Sequence, residues 1–159
     1  MDGYYVIYER PGLQKFLTWV FEHFNVNVWT AATKDYCTFI CKEILLKEPG
    51  RQICWTFFSY HRKKSSKRYG SGNPKDLRML WDVYHLPGFN EENTFIVDDH
   101  PDVYSCQKPL CVHCPEFETL EGGENDTYLE KLKEGMQRYL NTFRENGYKC
   151  KQPAFVINQ

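Results

Sequence analysis

The chain has 159 residues, 42% of them hydrophobic and 16% aromatic, enough to bury one core and too apolar for a disordered segment. A formal net charge of −1 at pH 7 excludes wholesale electrostatic attraction to nucleic acid. No stretch reads as a membrane span or secretory leader, and seven scattered cysteines suit reduced intracellular thiols better than a disulfide framework.

Residues 4–8, Tyr-Tyr-Val-Ile-Tyr, are strand formers. Pro11 then suits a first helical turn, and Leu13, Phe16, Leu17, Val20 and Phe24 recur at helical spacing until Asn25. Residues 26–29 form a short apolar strand ending at Thr30. Asp35 sits in the first turn of a second helix whose buried side is Tyr36, Ile40 and Ile44, closed by Pro49 and Gly50. Residues 52–58 read as a strand, and residues 59–72, basic and then rich in Ser and Gly, read as an exposed loop. Pro74 opens a third helix with Leu77, Leu80, Trp81 and Tyr84 on its inner face. Residues 94–98 form a buried parallel strand that runs into Asp98, Asp99, His100 and Pro101, followed by a short run over 110–113. The last helix starts near Asn125 or Asp126, with Thr127 and Glu130 spaced as a capping box and Leu129, Leu132, Met136, Leu140 and Phe143 as its stripe. Residues 146–159 form a tail in which 154–158 read as a strand or a frayed end. The alternation predicts one α/β domain over 1–159, in three layers around a parallel sheet.

Thr30 ends one strand, Lys75 follows a Gly-rich segment, and Asp98 and Asp99 end another strand. A hydroxyl, an ammonium and two carboxylates at one sheet edge suit phosphate and Mg²⁺, although two such acids also merely cap a following segment in many folds. Cys106, Cys111, His113 and Cys114 contain one Cys-x-x-Cys pair without a second, which fits buried thiols better than zinc. Five Lys/Arg lie in 61–68, readable as a solvated loop, a docking patch for a phosphorylated or acidic partner, or a nuclear-import or nucleic-acid contact. His23 and His85 sit at helix ends, where capping is the ordinary role.

The blocks Arg10-Pro11-Gly12-Leu13, Val28-Trp29-Thr30-Ala31-Ala32-Thr33, Lys75-Asp76-Leu77 and Ile96-Val97-Asp98-Asp99-His100-Pro101 resemble, in order and spacing, the FCP/SCP-type, or NLI-interacting-factor-like, phosphatases of the haloacid dehalogenase superfamily. The resemblance spans residues 2–143, and a small Cys-rich version of this kind suits a large DNA virus. It implies a haloacid-dehalogenase-like fold and action on phosphoserine in proteins, notably the carboxy-terminal repeats of RNA polymerase II. It further implies that Thr30 binds the transferring phosphoryl group, Lys75 neutralises it, Asp98 is a Mg²⁺ ligand and Asp99 supports it. One departure is decisive: the family's nucleophile lies in an Asp-x-Asp-x-Thr motif on the first, central strand, and this sequence contains no Asp-x-Asp. No catalytic residue is therefore identified. The expectation is a sheet whose central strand is replaced, by residues 4–8, by the tail or by exchange in a homodimer. For function the expectation is a phosphoprotein-binding pseudo-phosphatase within the infected cell's cytoplasm or nucleus, with no membrane or nucleic-acid partner. The alternative is an active Mg²⁺-dependent phosphoserine phosphatase with a substitute or upstream nucleophile.

Overall fold

The protein is described by a computed structural model over residues 6–119 and 122–146. Pro11 and Gly12 turn the chain into helix α1 (Leu13–His23), with Gly12 at φ 77°, a left-handed conformation strained for any residue bearing a side chain. Leu17 and Val20 bury its inner face. Arg51 fixes its outer side, its guanidinium donating to Gln14 Oε1 (2.8 Å), Thr18 Oγ1 (2.9 Å) and the Leu45 carbonyl (3.1 Å).

Strand β1 (Val28–Trp29) leads to helix α2 (Lys34–Ile40), capped by Thr33 Oγ1, which accepts the Tyr36 N–H at 3.3 Å. The helix continues as a π-helical turn, Cys41–Leu45. Its innermost line is Cys37 and Cys41, whereas the expected Tyr36, Ile40 and Ile44 are only half-buried. The narrow thiols occupy the line nearest the core and the bulkier side chains flank it. Burial raises the Cys41 thiol to about 11, so it is neutral packing at physiological pH.

Strand β2 (Thr56–Phe57) pairs parallel with β1, Val28 opposite Thr56 and Trp29 opposite Phe57. Asn27 sets this register, its Oδ1 accepting the N–H groups of Cys54 and Trp55 at 3.1 and 3.0 Å. Strand β3 (Ile96–Asp98) pairs parallel with β4 (Cys111–His113), and the crossover between them is the short helix α4 (Pro101–Cys106) with a 3₁₀ turn, Lys108–Leu110. The architecture is mixed α/β with two small parallel sheets, β1-β2 and β3-β4.

Among the described residues no strand bridges the two sheets. Val28 and Thr30 donate toward β2 (3.4 and 2.8 Å), so alternation turns the Trp29 backbone to the opposite edge. Likewise the Asp98 carbonyl accepts the Cys114 N–H at 2.9 Å, which turns the Val97 backbone away from β4. Val97, in mid-strand, is 37% exposed. The sheets are joined by packing instead: Trp29, Phe57, Leu77, Met79 and Leu80 form one core cluster on which Ile96 and Leu110 rest.

The second cluster, Val20, Val112, Leu129, Leu132 and Met136, packs α1 and the long helix α5 (Tyr128–Asn146) against β4. The stripe expected on the last helix holds, with Leu129, Leu132, Met136 and Leu140 all buried. Its first turn is capped from Asp126, whose Oδ1 accepts the Tyr128 N–H at 2.9 Å.

Three local expectations are corrected. Residues 59–69 are not loop but helix α3 (Ser59–Tyr69), because Ser65 and His61 anchor an inner face that lacks an apolar stripe. Pro74 opens a turn rather than a helix; only Met79–Val83 coils, as a π-helical turn, with Leu77, Met79 and Leu80 buried. Of residues 4–8, the first two lie outside the described residues, and Val6, Ile7 and Tyr8 are not in a strand. The tail expected over 154–158 also lies outside them.

Candidate functional site

β3 places Asp98 at its carboxyl end, where the side chain is buried to 5% exposure. A carboxylate in that position requires a partner. Lys75 supplies it, Nζ standing 2.5 Å from Asp98 Oδ2 with its own side chain 12% exposed. The second oxygen, Oδ1, accepts the His100 N–H at 3.0 Å. Pro101 then starts α4, with His100 Nδ1 accepting the Asp102 N–H at 3.2 Å.

Lys75 owes its position to residues distant in sequence. Gln107, 8% exposed, donates to the Lys75 carbonyl at 2.8 Å and accepts the Leu77 N–H at 3.0 Å. From the other side, the fully buried Ser65 donates to the Asn73 carbonyl at 2.7 Å and accepts the Asp76 N–H at 3.0 Å. Asp76, 3% exposed, is neutralised by Arg78, whose Nη2 lies 2.6 Å away. The lysine thus projects from a loop whose backbone is clamped on both sides.

Thr30 stands at the carboxyl end of β1, half-buried, its Oγ1 accepting the Ala32 N–H at 3.1 Å. Among the described residues its hydroxyl makes no hydrogen bond to Lys75 or Asp98, which pair with each other. Asp99 has an exposed side chain, and its carbonyl lies 3.1 Å from His113 Nε2.

Among the described residues no three His, Cys, Asp or Glu side chains converge on a metal position. Cys106, Cys111, His113 and Cys114, read from the sequence as buried thiols more readily than zinc ligands, form no such group there. Burial, and secondarily the Asp98 charge, raises the Cys111 thiol to about 12. Cys114 is also raised by burial while its sulfur accepts from Arg10 Nη1 at 3.4 Å. Burial thus favours the protonated form of both thiols. For Mg²⁺ the protein offers the Asp98 carboxylate and the nearby exposed Asp99, a donor set that water and phosphate oxygens would have to complete.

A second charged contact borders this edge. Arg10 Nη2 lies 2.6 Å from Asp126 Oδ2 and its Nη1 donates to the Pro115 carbonyl at 3.0 Å, with the guanidinium 4.7 Å from the centre of the Tyr128 ring. The Arg10 hydrogen bonds hold Asp126 below its ordinary value. Arg10 belonged to a recognisable block, but its partner 116 residues away had no sequence signal.

The sequence profile of the NLI interacting factor-like phosphatases matches residues 2–146. The chain belongs to that family. It is 41% identical over 144 residues to CTD phosphatase-like protein 355R of Invertebrate iridescent virus 6, covering 89% of this chain and 79% of that protein. A protein of the same name from Invertebrate iridescent virus 3 is 35% identical over 150 residues, covering 91% and 77%. The uncharacterized protein 037R of Frog virus 3 is 32% identical over 127 residues, covering 78% and 55%. The family expected from the four sequence blocks is confirmed, and the viral relatives support an origin in a large DNA virus. Among the described residues of this NLI interacting factor-like chain, no helix is long and apolar enough to cross a membrane.

Proposed function

We propose that the chain binds phosphoserine-bearing proteins at the carboxyl edge of β1 and β3, with Lys75 and Thr30 toward the phosphate and Mg²⁺ on Asp98, and does not by itself hydrolyse them. The observation that carries this reading is the buried Lys75–Asp98 pair at 2.5 Å. It is a poised but neutral site: the ammonium already faces a carboxylate, so an arriving phosphate dianion gains little from Lys75 while Asp98 repels it. Asp98 would hold a divalent cation, whose charge would offset the carboxylate and leave the Lys75 ammonium available to the phosphate. Binding therefore depends on Mg²⁺. Turnover additionally needs a nucleophile and an acid for the departing serine, and the Asp-x-Asp that supplies them in the family does not occur in the 159 residues.

That no strand among the described residues pairs with the outward edges of Trp29 and Val97 supports the associated structural proposal, a three-layer sheet completed by one more strand between β1 and β3, donated by another part of this chain or by a second copy. The retained Lys75–Asp98 pair equally favours a second reading, an active phosphoserine phosphatase once an acidic nucleophile occupies that slot. The names of the viral relatives make the carboxy-terminal repeats of RNA polymerase II the first target to try, inside the infected cell.

The test is fluorescence anisotropy with matched serine and phosphoserine peptides of the repeat, with and without Mg²⁺. Preference for the phosphoserine peptide, lost with EDTA and in Lys75→Ala, is expected. Equal binding of both peptides would overturn the phosphate-site reading.

A further inference from the structure

Helix α3 carries a charge pattern that the phosphate site does not use. Tyr60, Lys63, Lys64, Lys67 and Arg68 are its exposed residues, and their spacing of three and four places them on one continuous face. None of these four cations forms an ion pair among the described residues; Lys64 Nζ instead lies 4.8 Å from the Tyr84 ring centre and Arg68 lies 5.6 Å from that of Tyr69. Lys63–Lys67 and Lys64–Arg68 are like-charge pairs at i,i+4, each unfavourable in an isolated helix, and no acid stands in the first turn to offset them. In a chain of net charge −1, this concentration is a local feature that a polyanion would relieve.

The position of α3 selects the kind of polyanion. Its first N–H, of Ser59, donates to the Ala32 carbonyl at 2.9 Å, beside Thr30. Six residues on, Ser65 clamps the loop that carries Lys75. The helix therefore runs between the two sides of the phosphate site, and its 11 residues extend about 16 Å at 1.5 Å per residue. An extended peptide covers that distance in about five residues.

We propose that this basic face of α3 docks acidic or phosphorylated residues lying within about five positions of the phosphoserine held by Lys75, making the protein selective for multiply phosphorylated segments. The proposal rests on the phosphate-site reading above. The test uses the full chain with Mg²⁺ and two labelled peptides, one singly phosphorylated and one with a second phosphoserine four residues away. The second phosphate is expected to tighten binding about tenfold in the parent, an advantage that collapses as salt is raised. In the triple variant Lys63→Gln, Lys67→Gln, Arg68→Gln the advantage falls below about twofold while the singly phosphorylated peptide binds as before; glutamine keeps the helix, and circular dichroism checks it. An advantage that persists in the triple variant, or that is insensitive to salt in the parent, overturns the proposal. Displacement of the doubly phosphorylated peptide by a single-stranded DNA of equal charge at lower concentration also overturns it, making α3 a nucleic-acid surface. If Lys75→Ala leaves the doubly phosphorylated peptide bound and the triple variant releases it, the docking face stands and the phosphate-site reading falls.

Discussion

At the scale of single residues, the site rests on one buried ion pair whose worth lies in its completeness. With side-chain exposures of 12% and 5%, removing one partner of Lys75–Asp98 leaves an uncompensated charge in a poorly solvated place. Lys75→Met should therefore cost about 3–5 kcal/mol in urea unfolding. The double variant Lys75→Met, Asp98→Leu should recover much of that loss, because it removes both charges. If the two single effects simply add, the pair is not coupled as described. The Arg10–Asp126 contact predicts a pH dependence of definite sign. Asp126 is held below its unfolded value by the Arg10 hydrogen bonds, so its contribution is complete above the ordinary carboxylate range and lost as pH falls through the folded value. Asp126→Asn should cost about 2 kcal/mol at pH 7 and progressively less as pH falls below the ordinary carboxylate range, read from denaturation midpoints at pH 7 and pH 3. An undiminished cost at pH 3 would show that packing, not charge, is the source.

At the scale of elements, the Lys75 loop is held by two side chains from outside it. Gln107→Leu removes both of its hydrogen bonds to that loop and leaves the Leu77 N–H and Lys75 carbonyl without those partners. The expected cost is about 2 kcal/mol, together with weaker Mg²⁺-dependent phosphopeptide binding even though Gln107 touches no ligand. A stability loss with unchanged affinity would reduce its role to packing. These clamps mark where sequence reasoning stops. The strands at 28–29 and 96–98, the first and last helices and the strand-end positions of Thr30 and Asp98 were legible, because periodicity, turn residues and motif blocks are local signals. Gln107 and Ser65 were not, since each acts on a loop distant in sequence through a pair of hydrogen bonds that leave no local pattern. Helix α3 was missed for a related reason: its inner face is closed by a serine and a histidine, so it lacks the apolar stripe by which helices are recognised. The buried thiols of α2 displaced the expected Tyr36, Ile40 and Ile44 because hydrophobic spacing identifies a face but not its deepest line.

At the scale of the whole molecule, two small sheets share one core cluster without sharing a hydrogen bond between strands among the described residues. Trp29 turns its backbone away from β2 and Val97 turns its backbone away from β4, and among the described residues no strand pairs with either edge. Their amide hydrogens should exchange faster than that of Thr30, which is bonded to the Phe57 carbonyl at 2.8 Å. Slow exchange at both positions in a sample that sediments as a dimer would instead place a partner's strand in the slot. The most direct measurement is phosphate release from a saturating phosphoserine peptide by the 159-residue chain with Mg²⁺, beside Asp98→Asn. The account predicts a bound peptide and release no faster than in the variant. Sustained release that Asp98→Asn abolishes would contradict it and establish a working phosphatase.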